Sequence, residues 1–262
     1  MTIQAEVTQH RNLRYVFSVT NPTSKLIEAE ELIVFAPEDR VHKFKITNLP
    51  PLGRKIFSIK ERVEIHDIPV RVFPEDNSVY PYNYMQYVSP QKYIESDSKT
   101  ISEIAKKLSG KTDEETIDNT SEFVRDYLNK KPYTGKIMGA LWAVKHKKGD
   151  CTEHACLATA LLRANDIHSR VVSGFIVKKD QVLTPAASHD WAEVFLNGCW
   201  RVVDCHRNNK MENEKDYIVF RTLQQESPAP DGSLLNKPEL TGLNKYKISN
   251  NDLTVTMKGL SK

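Results

Sequence analysis

Apolar and polar residues alternate where the pattern first becomes regular. Leu13, Tyr15, Phe17 and Val19 recur at every second position, which predicts a half-buried strand, and Asn21-Pro22-Thr23 breaks the run. Leu32 to Ala36 is a short unbroken apolar stretch, the pattern of a buried strand. His42 to Thr47 is a third candidate, closed by Leu49-Pro50-Pro51, and Lys55 to Ile65 is a longer fourth with Phe57, Ile59, Val63 and Ile65. Short strands at this spacing, parted by proline-rich turns, predict a small β-sandwich of immunoglobulin-like type over residues 1–88. Nothing in it carries chemistry, so its expected role is scaffold or substrate platform.

Pro69 to Pro90 is rich in Pro, Tyr and Asn, and the domain junction is expected there, near residue 88. The period then changes. Ile101, Ile104, Ala105 and Leu108 share one face of a helix predicted over Ser98 to Leu108. Further helices are expected over Thr116 to Leu128 and Lys136 to His146. Between Cys151 and Asn165 apolar residues crowd on all sides, as in a fully buried helix. Strands follow over His168 to Val177, Asp190 to Leu196 and Cys199 to Cys205, with Asn197-Gly198 favouring a two-residue type I′ turn between the last two. Tyr217 to Arg221 is another strand, and Tyr246 to Ser249 with Leu253 to Met257 a further hairpin. Residues 89–262 therefore predict an α+β domain, helices first and antiparallel sheet after.

Composition narrows the class. The chain has 262 residues, 39% hydrophobic and 27% charged, values of a globular chain able to bury a sizeable core. Lys plus Arg number 37 against 34 Asp plus Glu, a balance that argues for neither nucleic acid nor a membrane surface as partner. The Lys145 to Lys148 run is a solvated segment. No apolar stretch approaches the roughly 20 residues of a membrane span, and Met1 to Arg14 lacks the pattern of a signal peptide, so a cytoplasmic location is expected. The four cysteines, Cys151, Cys156, Cys199 and Cys205, are spaced too widely for zinc pairs and too locally for a disulfide framework. One reactive thiol and three packing thiols is the remaining reading. No metal, cofactor or calcium loop is expected.

Three features bear on chemistry. Asp150 is placed to cap the buried helix and set Cys151 in its first turn, where unpaired N–H groups and the positive helix end favour a thiolate and could hold an oxyanion. Asp150 and Glu153 oppose this by charge, so an imidazolium partner would have to compensate. Taken alone, a cysteine at a helix start is also simply a small packed residue. The second feature is the hairpin. A two-residue turn at Asn197-Gly198 sets Leu196 opposite Cys199, Trp191 opposite Asp204 and His189 opposite His206. His189 and Asp204 are then diagonal neighbours on one face, roughly 6–8 Å apart at Cβ. Asp204 can accept one imidazole N–H and leave the other nitrogen for the thiol, whereas Asp190 points to the opposite face. The third is chain order: Cys on a helix, His on a strand, Asp on the next strand, in the roles of nucleophile, base and orienter.

At these residues the chain resembles the transglutaminase-like superfamily, a relative of papain-like enzymes. The resemblance rests on Lys148-Gly149-Asp150-Cys151-Thr152-Glu153, on Leu162 to Gly174, on His189-Asp190-Trp191-Ala192-Glu193-Val194 and on Trp200-Arg201-Val202-Val203-Asp204. It covers about residues 90 to 220. The first domain also looks like the β domain that precedes the core in bacterial and archaeal members. The resemblance implies a Cys151-His189-Asp204 triad that attacks an amide or ester carbonyl, forms a thioester acyl-enzyme and passes the acyl group to an amine or to water. The implied substrate is a protein or peptide amide side chain, or a small-molecule amide or thioester. A cysteine peptidase or amidase on the same fold, and a non-catalytic interaction module, are the competing readings. Here Cys205 and His206 follow Asp204, where family members usually have Pro or a small residue.

Other residues have lesser claims. Trp191 shares the His189 face and could wall the site or be plain core. Some members complete the oxyanion hole with an upstream aromatic N–H or Gln. Trp142 and Tyr133 lie upstream here, Trp142 on a predicted helix where core is the simpler reading. Glu193, about 13 Å along the strand, is expected to be structural. His154 and His206 are expected to be solvated, close enough in sequence to touch substrate. Cys156 should point away from the nucleophile, and Cys205 should be buried and inert.

Overall fold

A computed structural model describes residues 7–21, 23–37, 40–66, 84–132, 137–223, 239–241 and 247–248. Four long strands come first: β1 (Val7–Thr20), β2 (Ile27–Ala36), β3 (Arg40–Leu49) and β4 (Arg54–His66). β1 pairs antiparallel with β4, and β2 with β3. The alternation that predicted β1 buries Leu13, Tyr15, Phe17 and Val19, which join Ile27, Val34, Ile46, Leu49, Phe57 and Ile59 in one apolar cluster between the two sheets.

Helices and the second sheet follow in the expected order: α1 (Lys99–Leu108), α2 (Asp113–Tyr127), β5 (Asn129–Lys130), α3 (Ala140–His146), β6 (Lys148–Gly149), α4 (Cys151–Arg163), β7 (Ser169–Ile176), β8 (Gln181–Leu183), β9 (His189–Leu196), β10 (Cys199–Asp204), β11 (Asn209–Lys210) and β12 (Tyr217–Thr222). Side chains start the first two helices. Ser98 Oγ accepts from Ile101 N–H at 3.4 Å, and Thr112 Oγ1 from Glu115 N–H at 3.2 Å. The third helix starts at Ala140, later than expected, because Gly139 before it takes φ 88°, outside helical geometry. Tyr133 and Lys136 lie outside the described residues, as does most of the expected C-terminal hairpin.

The second sheet is antiparallel, in the order β11-β10-β9-β7-β12, with β9 central. Asn197 and Gly198 both have positive φ, 51° and 76°, as the predicted turn requires, and Cys199 pairs with Leu196. Alternation along β9 sorts its residues. Ala192 and Val194 face α4 and join Leu157, Leu161, Ile101, Ile117 and Val124 in the helical core. Trp191 takes the other face with Val172 and Val202. The chain is thus α+β, with α4 buried between the other helices and the sheet.

The two sheet systems are joined. β8 pairs parallel with β1, and two short strands, β13 (Glu239–Thr241) and β14 (Lys247–Ile248), pair with β2 and β1. Phe175, Val177, Ile218 and Phe220 of the second sheet belong to the same apolar cluster as Tyr15 and Phe17. Tyr15, Phe175 and Phe220 stand with ring centroids 4.8–6.0 Å apart. Among the described residues no helix is long and apolar enough to cross a membrane.

Candidate active site

The start of α4 is fixed by a reciprocal cap. Asp150 Oδ1 accepts the Thr152 N–H at 3.0 Å, and Glu153 Oε2 accepts the Asp150 N–H at 3.1 Å. Glu153 is fully buried. It also accepts the Met138 N–H at 3.0 Å and pairs with Lys131 Nζ at 3.0 Å, so its charge is neutralised locally. Asp150 is less compensated, and burial followed by the Glu153 charge pushes its carboxyl up to about 6. Cys151 occupies the first helical position, half-buried, with a free thiol. Its own N–H has no acceptor among the described residues, so it remains available to a ligand oxygen.

His189 and Asp204 meet as the hairpin register predicts. His189 Nε2 lies 2.7 Å from Asp204 Oδ2, both side chains nearly inaccessible at 6% and 1%. Asp204 is held by two further donors, Tyr217 Oη at 3.0 Å and the Arg207 N–H at 3.1 Å. Burial alone would push this carboxyl up. The His189 hydrogen bond and charge, with these two donors, hold it below the usual carboxylate range instead. With Nε2 engaged by Asp204, Nδ1 is the ring nitrogen that can accept a proton.

The thiol meets the first residues of β9. The start of α4 meets β9 through Asp190, one residue along the strand from His189, whose charge and backbone amide both bear on the Cys151 thiol. No hydrogen bond joins the sulfur to the imidazole among the described residues. Burial, and then the Asp190 charge, push the thiol well above its ordinary range, and the amide of Asp190 and the Thr152 hydroxyl offset this in part. These influences oppose the thiolate that the helix terminus alone would favour.

Asp190 was the acid that alternation turned away from His189, and it does face the other way, toward α4. There it has a role that the sequence reading missed. Its side chain is buried at 2% exposure, and Oδ2 accepts from Thr152 Oγ1 at 2.5 Å. The residue therefore ties strand to helix directly beneath the cysteine. Its carboxyl is itself raised by burial, against the nearby Ser173 hydroxyl and the Thr152 hydrogen bond.

The secondary candidates separate. Trp191 is buried beside His189, ring centroids 6.2 Å apart, and its indole N–H points to Glu193 at 3.4 Å. Glu193 is bound by Arg170 at 2.7 Å. Trp142 is half-buried, stacked on His146 at 4.4 Å, with Lys131 Nζ 4.5 Å from its ring centre. Cys156 is fully buried within α4's core face, and Cys205 is buried against Ser121 with its thiol pushed up to about 12 by burial. His154 is not solvated, contrary to expectation. It sits in the helix that is buried all round, 1% exposed, with Nδ1 2.7 Å from Asp150 O. His206 is half-buried between it and the site: its ring lies 4.9 Å from His154 and 5.8 Å from His189. The hairpin count set His206 opposite His189, but the strand pairing stops at Val203 and residues 205–208 form a turn, so His206 reaches His189 from that turn rather than as a strand partner.

Residues 102–205, the span that holds Cys151, His189 and Asp204, match the family model of the transglutaminase-like superfamily. Among curated proteins none matches the chain. Among solved structures, a candidate cysteine protease from Cytophaga hutchinsonii superposes with TM-score 0.53 at 16% identity, over 93% of this chain and 89% of that one, which shows a shared fold. The periplasmic domain of TgpA from Pseudomonas aeruginosa aligns at TM-score 0.39 and 15% identity, over 72% of this chain and 69% of that one. A candidate protease from Parabacteroides distasonis aligns at 0.38 and 14%, over 87% and 45%. Both of these scores are too low to argue from.

Proposed function

From the transglutaminase-like core that residues 102–205 form, we propose that the chain is a cysteine acyl-transfer enzyme with Cys151 as nucleophile, His189 as base and Asp204 as orienter. The observation that carries this reading is the buried His189–Asp204 pair at 2.7 Å, at the head of the strand that Asp190 ties to the start of α4, where Cys151 sits. Asp204 on Nε2 fixes the tautomer that leaves the Nδ1 lone pair for the thiol proton.

The chemistry follows from those positions. A substrate amide or ester carbonyl enters beside Cys151. His189 Nδ1 takes the thiol proton as sulfur attacks carbon, and the imidazolium so formed is stabilised by the Asp204 carboxylate. The Cys151 N–H at the start of α4 donates to the developing oxyanion. Collapse expels the amine or alcohol, which leaves with the His189 proton, and a thioester remains on Cys151. An amine or water, deprotonated by the same imidazole, then attacks the thioester and releases the thiol. Because the thiol's pKa is raised, its proton leaves during attack rather than beforehand, so a positioned base matters more here than in a site with a preformed thiolate. Under the same reading the two-sheet unit of residues 1–88 serves as scaffold, since its strands share a core with the catalytic sheet.

The test has two parts. A thiol-directed electrophile should label Cys151, and Cys151→Ala should abolish that labelling. Labelling that persists at Cys156 or Cys205 refutes the choice of nucleophile. Mass spectrometry of glutamine- and asparagine-containing peptides incubated with a primary amine then separates the second half-reactions: amine adducts mark a transferase, loss of ammonia a deamidase, and chain cleavage a peptidase.

A further inference from the structure

Beyond the triad, the sheet runs into a recess of about 390 Å³ lined by Arg125, Lys130, His206, Arg207 and Asn208. That volume is within the range of small-ligand sites, roughly 300–1,000 Å³. Its wall touches the site already described. His206 stands with its ring 5.8 Å from His189, and Arg207, the next residue, donates its backbone N–H to Asp204 Oδ1 at 3.1 Å.

The lining is positively charged and only partly compensated. Arg125 is paired with Asp126 at 2.7 Å and bonded to Asn208 at 2.8 Å. Lys130 Nζ donates to His206 O at 2.7 Å, a carbonyl without net charge. The Arg207 guanidinium has no hydrogen-bond or ion-pair partner among the described residues, and its charge is felt at Tyr217, which hydrogen-bonds Asp204. Two cations thus face the recess without a neutralising carboxylate. His206 adds no charge at neutral pH, since burial and then His154 push it down to about 4. An open recess with two cations that no carboxylate neutralises, adjoining His189 and Asp204, suits an anion, and the planar fork of Arg207 suits a carboxylate in particular.

We propose that this recess is a subsite that holds a carboxylate of the substrate next to the reacting carbonyl. The inference rests on the acyl-transfer reading above and narrows it to substrates with an anionic group near the attacked bond. The carboxylate can come from a peptide C-terminus or from an acidic side chain, and the two sources are separable.

The experiment compares alkylation of Cys151 by iodoacetate and by iodoacetamide, reagents of similar size that differ in charge. The readout is the ratio of the two rates on the intact chain, which cancels changes common to both. The recess should raise the ratio, and Arg207→Gln, alone and with Lys130→Gln, should lower it by roughly threefold, the effect of removing one or two charges acting through partly screened solvent. Arg207 is exposed, so its substitution leaves the buried core intact. Added acetate should slow iodoacetate more than iodoacetamide in the wild type. A ratio that is unchanged in the double variant overturns the subsite. Failure of iodoacetamide itself to reach Cys151 in the wild type overturns instead the nucleophile assignment. Peptides then assign the source by protecting Cys151 from iodoacetamide: protection lost on C-terminal amidation points to the α-carboxylate, and protection that follows Glu over Gln regardless of amidation points to a side chain.

Discussion

Asp190→Asn isolates the electrostatic control of the proposed nucleophile. After burial, the Asp190 charge is the largest influence raising the pKa of the Cys151 thiol. A like charge close to a titrating group shifts its pKa by about 1–3 units. Thr152 and the Asp190 amide offset part of this, so removal of the charge should lower the thiol's pKa by about one unit, equivalent to ~1.4 kcal/mol. Thiolate becomes about tenfold more abundant below the pKa, while its nucleophilicity falls with a Brønsted slope of about 0.4–0.5, leaving alkylation roughly threefold faster at neutral pH. The asparagine carbonyl can still accept from Thr152 Oγ1, so the seam between α4 and β9 is kept. The sign for stability also follows. Burial raises the Asp190 pKa in the folded chain, so the folded state binds more protons, and stability is lost as pH rises through the window between the unfolded and folded values. The variant should therefore melt no lower than wild type at neutral pH. The assay is the pH dependence of iodoacetamide alkylation at Cys151, followed by mass spectrometry, with thermal melting in parallel. An inflection that does not move, in a protein that melts normally, refutes the reasoning: it would mean that Asp190 is already neutral and that burial alone sets the thiol.

Asp204→Asn should slow neutral-pH alkylation at least tenfold, because an amide cannot stabilise the imidazolium that takes the thiol proton; rates should converge with wild type at alkaline pH, where thiolate forms unaided. The same variant should flatten the acid limb of the stability profile, since a carboxyl held below its usual range contributes stability above its unfolded pKa and loses it as pH falls through the folded value. Gly174→Ala should destabilise the fold by about 3 kcal/mol in denaturant titration. A Cβ there would press into the Ile218 carbonyl and lie 2.9 Å from Trp191 Cη2, on the β7 residue that pairs with His189; near-normal stability would show that β12 can move aside freely.

Local pattern carried the sequence reading furthest where one geometric rule decides the outcome. A two-residue turn with positive φ at both positions permits one register, and that register set His189 and Asp204 on one face before any coordinates. The cap of α4 was legible for the same reason: Asp at the cap and Glu three residues on satisfy the same orphan N–H groups in any context. Long-range contacts were not legible. Alternation placed Asp190 on the face away from His189, but it could not say that the other face meets α4 at Thr152 and Cys151. Nor could it say that β8 would cross to β1, or that Phe175 and Phe220 would join the apolar cluster of the first strands. Composition hid the basic recess as well. Arg125, Lys130 and Arg207 come from three separate elements in a chain of near-balanced charge, and only the packing of α2 against the turn after β10 brings them together.

These placements divide the work around Cys151 between the two faces of β9. On one face, His189, Asp204 and Tyr217 form a chain of hydrogen bonds that holds the base in a fixed tautomer. On the other, Asp190 ties the strand to the start of the helix that bears Cys151, and its charge, after burial, raises the thiol's pKa. The residue that joins strand to helix thus also opposes ionisation of the sulfur. A site so arranged slows the thiol toward electrophiles relative to a preformed thiolate, without silencing it, and it gives the imidazole the larger share of the work. Exchange of the acid on one face should therefore have the opposite effect to exchange of the acid on the other: Asp190→Asn should speed alkylation at neutral pH, and Asp204→Asn should slow it. If both variants move the rate in the same direction, the two faces do not have the separate roles that their hydrogen bonds assign them.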